Sequence, residues 1–259
     1  MTALMYHDIV ALGAEDTSGF AGRDAALYKI APELFEAHLD AIGEWPRGSA
    51  PSSVPVFTFD DGGISAMRAA DALETRGLTG HFFITANYIG ARGFVTATDL
   101  VELRRRGHGV GSHSCSHPLR MGHCRWSQLI DEWSRSRAML SDILGEDVHA
   151  ASVPGGDFSL SVAKGASEAG YIRLFTSEPS RTERQAFGLT LTGRFSIQRW
   201  TTAKVAAALA AGEWRSCAAQ AIVWNGKKLT KRLAGEQYLK LRRRLLRQGN
   251  DVQWGDTSA

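Results

Sequence analysis

The sequence predicts an α/β fold: a (β/α) barrel of seven strands, a distorted TIM-like arrangement. Three observations carry the prediction. Short apolar, β-branched or aromatic runs alternate with longer segments of helical spacing, which argues for a parallel sheet covered by helices. About seven such units occur, which favours a closed or nearly closed barrel over an open doubly wound sheet. Polar residues also gather just after the apolar runs, at His7, Asp60 and Asp61, His113 and His117, and 155–157. A parallel barrel builds its active site at those strand ends.

Strands are expected at 4–10, 54–60, 80–85, 109–113, 149–153, 172–176 and 193–197. Each is short and most are rich in residues that suit a pleated, half-buried surface. Between them, apolar positions recur at helical spacing over 32–42, 64–76, 96–106, 126–144 and 161–169. Gly77, Gly107, Gly145 and Gly170 stand just past four of these segments, where a left-handed C-cap is wanted. Thr96 and Asp99 have the spacing of a capping box. The polar, turn-rich stretches 13–26 and 178–188 read as loops.

A chain of 259 residues with 44% hydrophobic and 22% charged residues is an ordinary soluble composition with ample material for a core. No apolar run approaches the roughly 20 residues that span a bilayer. Residues 1–10 have neither the basic start nor the long uncharged stretch of a secretory signal, so the chain is expected in the cytoplasm. Three cysteines, Cys115, Cys124 and Cys217, do not suggest a disulfide framework.

The formal net charge of +3 is unevenly spread. Residues 227–247 hold nine Lys/Arg and one acid, Glu236, so the rest of the chain is net negative. This divides the sequence into a barrel at 1–212 and a basic helical extension at 213–259. Leu229, Leu233, Leu241 and Leu245 give the extension helical spacing. It reads either as a helix packed on the barrel with a solvated basic face or as one touching anionic membrane through 227–247, peripheral at the inner face. A basic segment on an acidic body points to a specific anionic partner and not to nucleic acid.

The strongest chemical signal is Phe57-Thr58-Phe59-Asp60-Asp61-Gly62-Gly63. Adjacent strand residues point to opposite faces, so two aspartates inside a buried strand would bury charge. At a strand end, two glycines let the backbone turn and both carboxylates face one cleft. Read alone, the run is also an ordinary polar turn. The second signal is His113-Ser114-Cys115-Ser116-His117, whose histidines meet on one side of a single helical turn, as metal ligands do. The rival reading is a structural zinc site of Cys115, His117, His123 and Cys124. It has no familiar spacing and leaves His113 idle.

These two motifs resemble those of the polysaccharide deacetylases, the NodB-homology or carbohydrate esterase 4 group, over about residues 4–200. The resemblance implies that Asp60 is the general base and that Asp61, His113 and His117 hold one divalent metal ion, expected to be Zn²⁺. The chemistry is coherent by itself. One carboxylate and two imidazoles leave positions open for water and a carbonyl, and a neighbouring carboxylate can take the water proton.

Two departures stand out. Where the family has an arginine before a proline-rich turn, this chain has Ser152-Val153-Pro154-Gly155-Gly156-Asp157-Phe158. Gly155 and Gly156 could offer backbone N–H groups to an oxyanion, Phe158 a wall for the substrate, and Arg199 a replacement partner for Asp60. No histidine follows His149, where relatives keep the general acid. Leu4-Met5-Tyr6-His7 is similar to the Tyr-His motif of the permuted poly-N-acetylglucosamine deacetylases, which implies His7 as the acid.

The expected activity is hydrolysis of an N-acyl, foremost N-acetyl, group on an amino sugar, as a lipid-linked, nucleotide-linked or small-glycoside intermediate. A silent sugar-binding relative and a hydrolase of non-sugar amides are the competing readings.

Overall fold

The computed structural model describes residues 1–44 and 54–226. The basic segment 227–247 therefore lies outside the described residues. Nine strands form one sheet: β1 (Ala3–Tyr6), β2 (Val56–Phe59), β3 (Gly80–Ile84), β4 (Gly109–Ser112), β5 (Ala150–Ser152), β6 (Arg173–Phe175), β7 (Arg184–Ala186), β8 (Leu189–Thr192) and β9 (Phe195–Ser196). Their order is β7-β8-β6-β5-β4-β3-β2-β1-β9, parallel except where β7 runs antiparallel to β8. The run from β8 to β9 is nearly continuous in sequence. Its first half pairs with β6 and its second half with β1, so one stretch returns the sheet to its first strand. The expected (β/α) barrel is the fold, although its sheet has nine strands among the described residues where seven were expected.

Helices α1 (Arg23–Ala26), α2 (Pro32–Glu44), α3 (Ala66–Glu74), α4 (Ala97–Arg105), α5 (Trp126–Leu144), α6 (Leu160–Glu168) and α7 (Ala203–Ala210) follow the strands, and 214–226 is also helical. α4 opens with the Thr96–Asp99 capping box. Gly77, Gly107, Gly145 and Gly170 all take positive φ. Among the described residues no helix is long and apolar enough to cross a membrane.

Strand alternation divides the core into two layers. Leu4, Tyr6, Phe57, Phe59, Phe82 and Ile84 pack outward against helix residues such as Phe35, Leu73, Leu100, Trp133 and Leu209. The inward set is Ala3, Phe83 and Phe175, with Val56 and Ala150 against them. A Cβ on Gly111 would come within 2.6 Å of the Phe83 ring, so glycine there admits the ring to the barrel interior. Above this apolar floor the inward residues become polar, and there the site begins.

The structure corrects two segments. The stretch 13–26, expected as a loop, contains α1. Part of 178–188, expected as a loop, forms β7, which turns into β8 through Phe187 and Gly188, both at positive φ.

Candidate active site and metal centre

On β2, Phe57 and Phe59 face the helices, so Thr58 and Asp60 face the barrel axis. Asp60 is 4% exposed. Its carboxylate is gripped by Arg194, which is fully buried. Nη1 donates to Oδ1 and Nη2 to Oδ2, both at 2.7 Å. Arg194 also donates to Thr58 Oγ1, Ser152 Oγ and the Thr176 carbonyl, and Ser152 Oγ donates to Asp60 Oδ2 at 3.1 Å. The guanidinium lies over the rings of Phe83 and Phe175, at 5.6 and 5.9 Å. This is a bidentate, fully satisfied pair, the strong form of a charge-assisted hydrogen bond.

Arg194 occupies the two-residue break between β8 and β9. Its side chain fills the space that the small Ser152 leaves open. The expectation that Arg199 partners Asp60 is therefore corrected. Arg199 stands past the strand end, with its side chain 39% exposed and 3.8 Å from Glu15.

Asp61 turns away from the strand. It has φ 77°, and Ser114 and His117 have φ 64° and 58°. Three non-glycine residues in left-handed conformations within one site cost of order 1–3 kcal/mol each, and such strain gathers where geometry serves function. The turn brings Asp61 Oδ1 to 3.4 Å from His113 Nε2 and 3.5 Å from His117 Nε2. Among the described residues, Asp61, His113 and His117 are the group able to hold a metal, with ligand atoms within 4.8 Å of one another. The rival set is not assembled: Cys115 Sγ is engaged with Asn87 and Cys124 Sγ with the Arg120 carbonyl.

The donor set fits a divalent cation on two further grounds. Asp61 Oδ1 is buried without a hydrogen-bond partner, an unusual and costly condition that a cation would relieve. His113 Nδ1 lies 3.1 Å from the Ser152 carbonyl, which fixes the proton on Nδ1 and turns the Nε2 lone pair to the centre. The His-loop is held by its own serines: Ser112 Oγ accepts from Ser114 N, and Ser114 Oγ from His117 N. Glu132 on α5 accepts from Cys115 N, Ser116 N and Ser116 Oγ.

Electrostatics keep both carboxylates ionised. Burial alone would raise Asp60, but Arg194 and His113 outweigh it and hold the carboxyl below its usual range. Asp61 is likewise lowered, its burial outweighed by the close His113 and by the nearby His7 and His117 imidazoles. Burial and the neighbouring His113 push His117 down to about 4, which keeps it neutral and able to ligate.

His7 lies just past β1. Because Tyr6 pairs with Phe59, the register sets His7 beside Asp60. Its Nδ1 is buried without a partner, and its ring lies 4.7 Å from that of Tyr28. Gly155 and Gly156 form the short turn 154–156 two residues beyond Ser152, both at positive φ. Phe158 follows, packed partly buried against the core. Sequence reasoning missed three contributors: Arg194, Ser152 as a partner of Asp60, and Phe20, whose ring is 4.8 Å from that of His117.

A family model for polysaccharide deacetylases matches residues 47–173. No curated protein sequence matches the chain. The structure is similar to the deacetylase PplD of Streptococcus pyogenes, solved in complex with acetate. The TM-score is 0.64 at 20% identity, covering 79% of this chain and 95% of that one. It is also similar to IcaB of Ammonifex degensii, with TM-score 0.62, 20% identity and coverage of 81% and 96%. The BpsB deacetylase domain of Bordetella bronchiseptica gives 0.55, 15%, and 76% and 96%. At these identities the likeness is one of fold. The match over residues 47–173 supports the resemblance that the two motifs carry, and the polysaccharide deacetylases are a family of metal-dependent amide hydrolases.

Proposed function

We propose that this chain hydrolyses the N-acyl group, foremost N-acetyl, of an amino sugar. The observation that carries the reading is the pairing of an Asp61–His113–His117 ligand set with a separate, arginine-held carboxylate, Asp60. A Zn²⁺ ion held by Asp61, His113 and His117 would supply carbonyl polarisation and acidify water. Asp60 accepts the proton of the attacking water on a carboxylate that Arg194 and Ser152 keep ionised and oriented. His7, beside Asp60 and with Nδ1 unpartnered, gives a proton to the departing amine. Gly155, Gly156 and Phe158, on the turn after β5, flank the substrate.

The substrate we favour is a biosynthetic intermediate on a lipid carrier, met in the cytoplasm at the inner membrane face. Two features support it: the excess of cations in 227–247, and the exposed Trp214, Ile222 and Val223 on the helical stretch just before it. Nucleotide-linked sugars and small glycosides are the other members of the class. The test is mass spectrometry of N-acetyl and N-formyl amino sugars, free and lipid-linked, incubated with zinc-loaded protein. Loss of one acyl mass with release of the free amine is expected. Unchanged masses across the set would reject the reading. Sedimentation with anionic and neutral liposomes at low salt tests the membrane contact, with binding expected to the anionic ones alone.

A further inference from the structure

Segment 15–20, together with Tyr28, lines the site, and one buried ion pair organises it. Asp8 is 1% exposed and Lys29 is 5% exposed. Lys29 Nζ lies 3.8 Å from Asp8 Oδ2 and donates to the carbonyls of Glu15, Ser18 and Phe20 at 2.5–2.6 Å. A single ammonium thus gathers three successive bends of the segment. Asp8 Oδ1 accepts from Ser18 Oγ and from Ser65 Oγ, at 2.6 and 2.8 Å. Ser65 N in turn donates to Ser18 Oγ, and Gly19 N donates to the Gly93 carbonyl. The pair joins the end of β1, the start of α3 and the wall of the site.

Two glycines record how closely Asp8 is enclosed. A Cβ on Gly63 would lie 1.9 Å from Asp8 Oδ1, and one on Gly19 would lie 2.2 Å from Oδ2. Gly63 takes ordinary φ, so the last residue of Asp60-Asp61-Gly62-Gly63 is glycine for the sake of Asp8 and not for its own turn. The consequence appears at the ligands. Phe20, whose carbonyl Lys29 holds, packs on His117 and also meets the rings of Tyr88 and Phe94, at 4.9 and 5.2 Å. Tyr28, next to Lys29 in sequence, packs on His7.

We infer that Asp8 and Lys29 are positioning residues of the active site. Their ion pair clamps segment 15–20 so that Phe20 covers His117 and shuts water off from that ligand. An apolar cover of this kind controls solvent access to a metal centre, and losing an outer partner typically weakens metal binding about 10–100-fold. The part concerning His117 rests on the metal-centre reading above, whereas the clamp itself does not. A buried charge stripped of its partner is far more disruptive than the loss of both charges together. The double variant is therefore the sharper probe.

The experiment uses the full chain with Lys29→Met, Asp8→Asn, the double variant and Phe20→Ala. Hydrogen exchange at the Gly19 amide is followed in metal-free protein, and zinc release to a chelator in loaded protein. Lys29→Met is expected to lose Gly19 protection and to release zinc about tenfold faster. The double variant should recover part of both. Phe20→Ala leaves the clamp whole, so it should keep Gly19 protected yet release zinc about as fast as Lys29→Met. Unchanged Gly19 protection in Lys29→Met overturns the clamp. Unchanged zinc release in Phe20→Ala overturns the cover, even where Lys29→Met does not fold. Wild-type protein that takes up no zinc rejects the metal reading and with it the cover, while the exchange arm still decides the clamp.

Discussion

Asp60 and Asp61 are neighbours in sequence and opposites in surroundings. Asp60 keeps strand geometry, points down the barrel axis and has both oxygens satisfied by Arg194 and Ser152. Asp61 leaves the strand through a left-handed turn and carries a buried oxygen with no partner. Under the proposed function, two like carboxylates take different tasks because one is saturated by the protein's own cation and the other is left to two imidazoles. The alternation of strand side chains begins the separation, and Gly62, at positive φ, allows the turn to be completed.

The contrast can be broken most severely at the proton-transfer groups. Asp60→Asn should retain metal and lose activity by about 10²–10⁴-fold, the usual contribution of a general base. Steady-state kinetics on the substrate identified by mass spectrometry checks this. His7→Ala should lose rate in the same range with amide substrates and much less with activated esters, whose leaving group needs no proton. Equal losses on both would remove His7 from the acid's role.

The next effect is on stability. Arg194→Met strands Asp60 as an unpaired buried carboxylate, so a loss of about 3–5 kcal/mol is expected in denaturant unfolding. Adding Asp60→Asn to it should restore a large part of that loss. Arg199→Ala, by contrast, should change stability by less than about 0.5 kcal/mol, since its side chain is partly exposed and its ion partner is Glu15.

A gentler effect concerns pH. His38, His81 and His108 are all held below the usual imidazole range, burial being the largest cause for each. Below about pH 6.5 the unfolded chain binds protons that the folded chain refuses. Their contribution to stability is complete above that value and is lost as pH falls through it towards the folded values. His38 is wholly buried between Tyr6 and the Thr201 carbonyl. His38→Gln should therefore flatten the pH dependence of the unfolding midpoint below about pH 6.5.

Much of this was legible in the sequence. The barrel, seven of its strands, five of the helices, their glycine caps and the Thr96–Asp99 box followed from periodicity and local chemistry. So did the meeting of the two motifs in one cleft, because both end strands, whereas the choice of Asp61 as the partner of His113 and His117 came from the family resemblance. The β7–β8 hairpin was hidden by its turn: Phe187 at positive φ is not a residue that signals one. α7 was missed because its run is apolar almost throughout, with Ala206, Ala207, Ala208, Leu209 and Ala210 buried in succession.

The sign of Arg194 is present in the sequence. Phe195 and Ile197 are outward core residues, so alternation puts Arg194 and Ser196 on the inner face, where an arginine needs an acid. Arg199, beyond the strand, had no such constraint. Asp8 and Lys29 gave no signal at all. An Asp and a Lys 21 positions apart look like solvated charges, and only the fold brings them together.

The division of labour between the two aspartates is tested most directly by metal content. Wild-type protein, Asp60→Asn and Asp61→Asn would be purified in parallel, equilibrated with zinc, freed of excess and analysed for bound metal. About one equivalent is expected in the wild type and in Asp60→Asn, and far less in Asp61→Asn. Equal metal in the two variants, whether both loaded or both empty, would contradict the assignment of one carboxylate to the proton and the other to the metal.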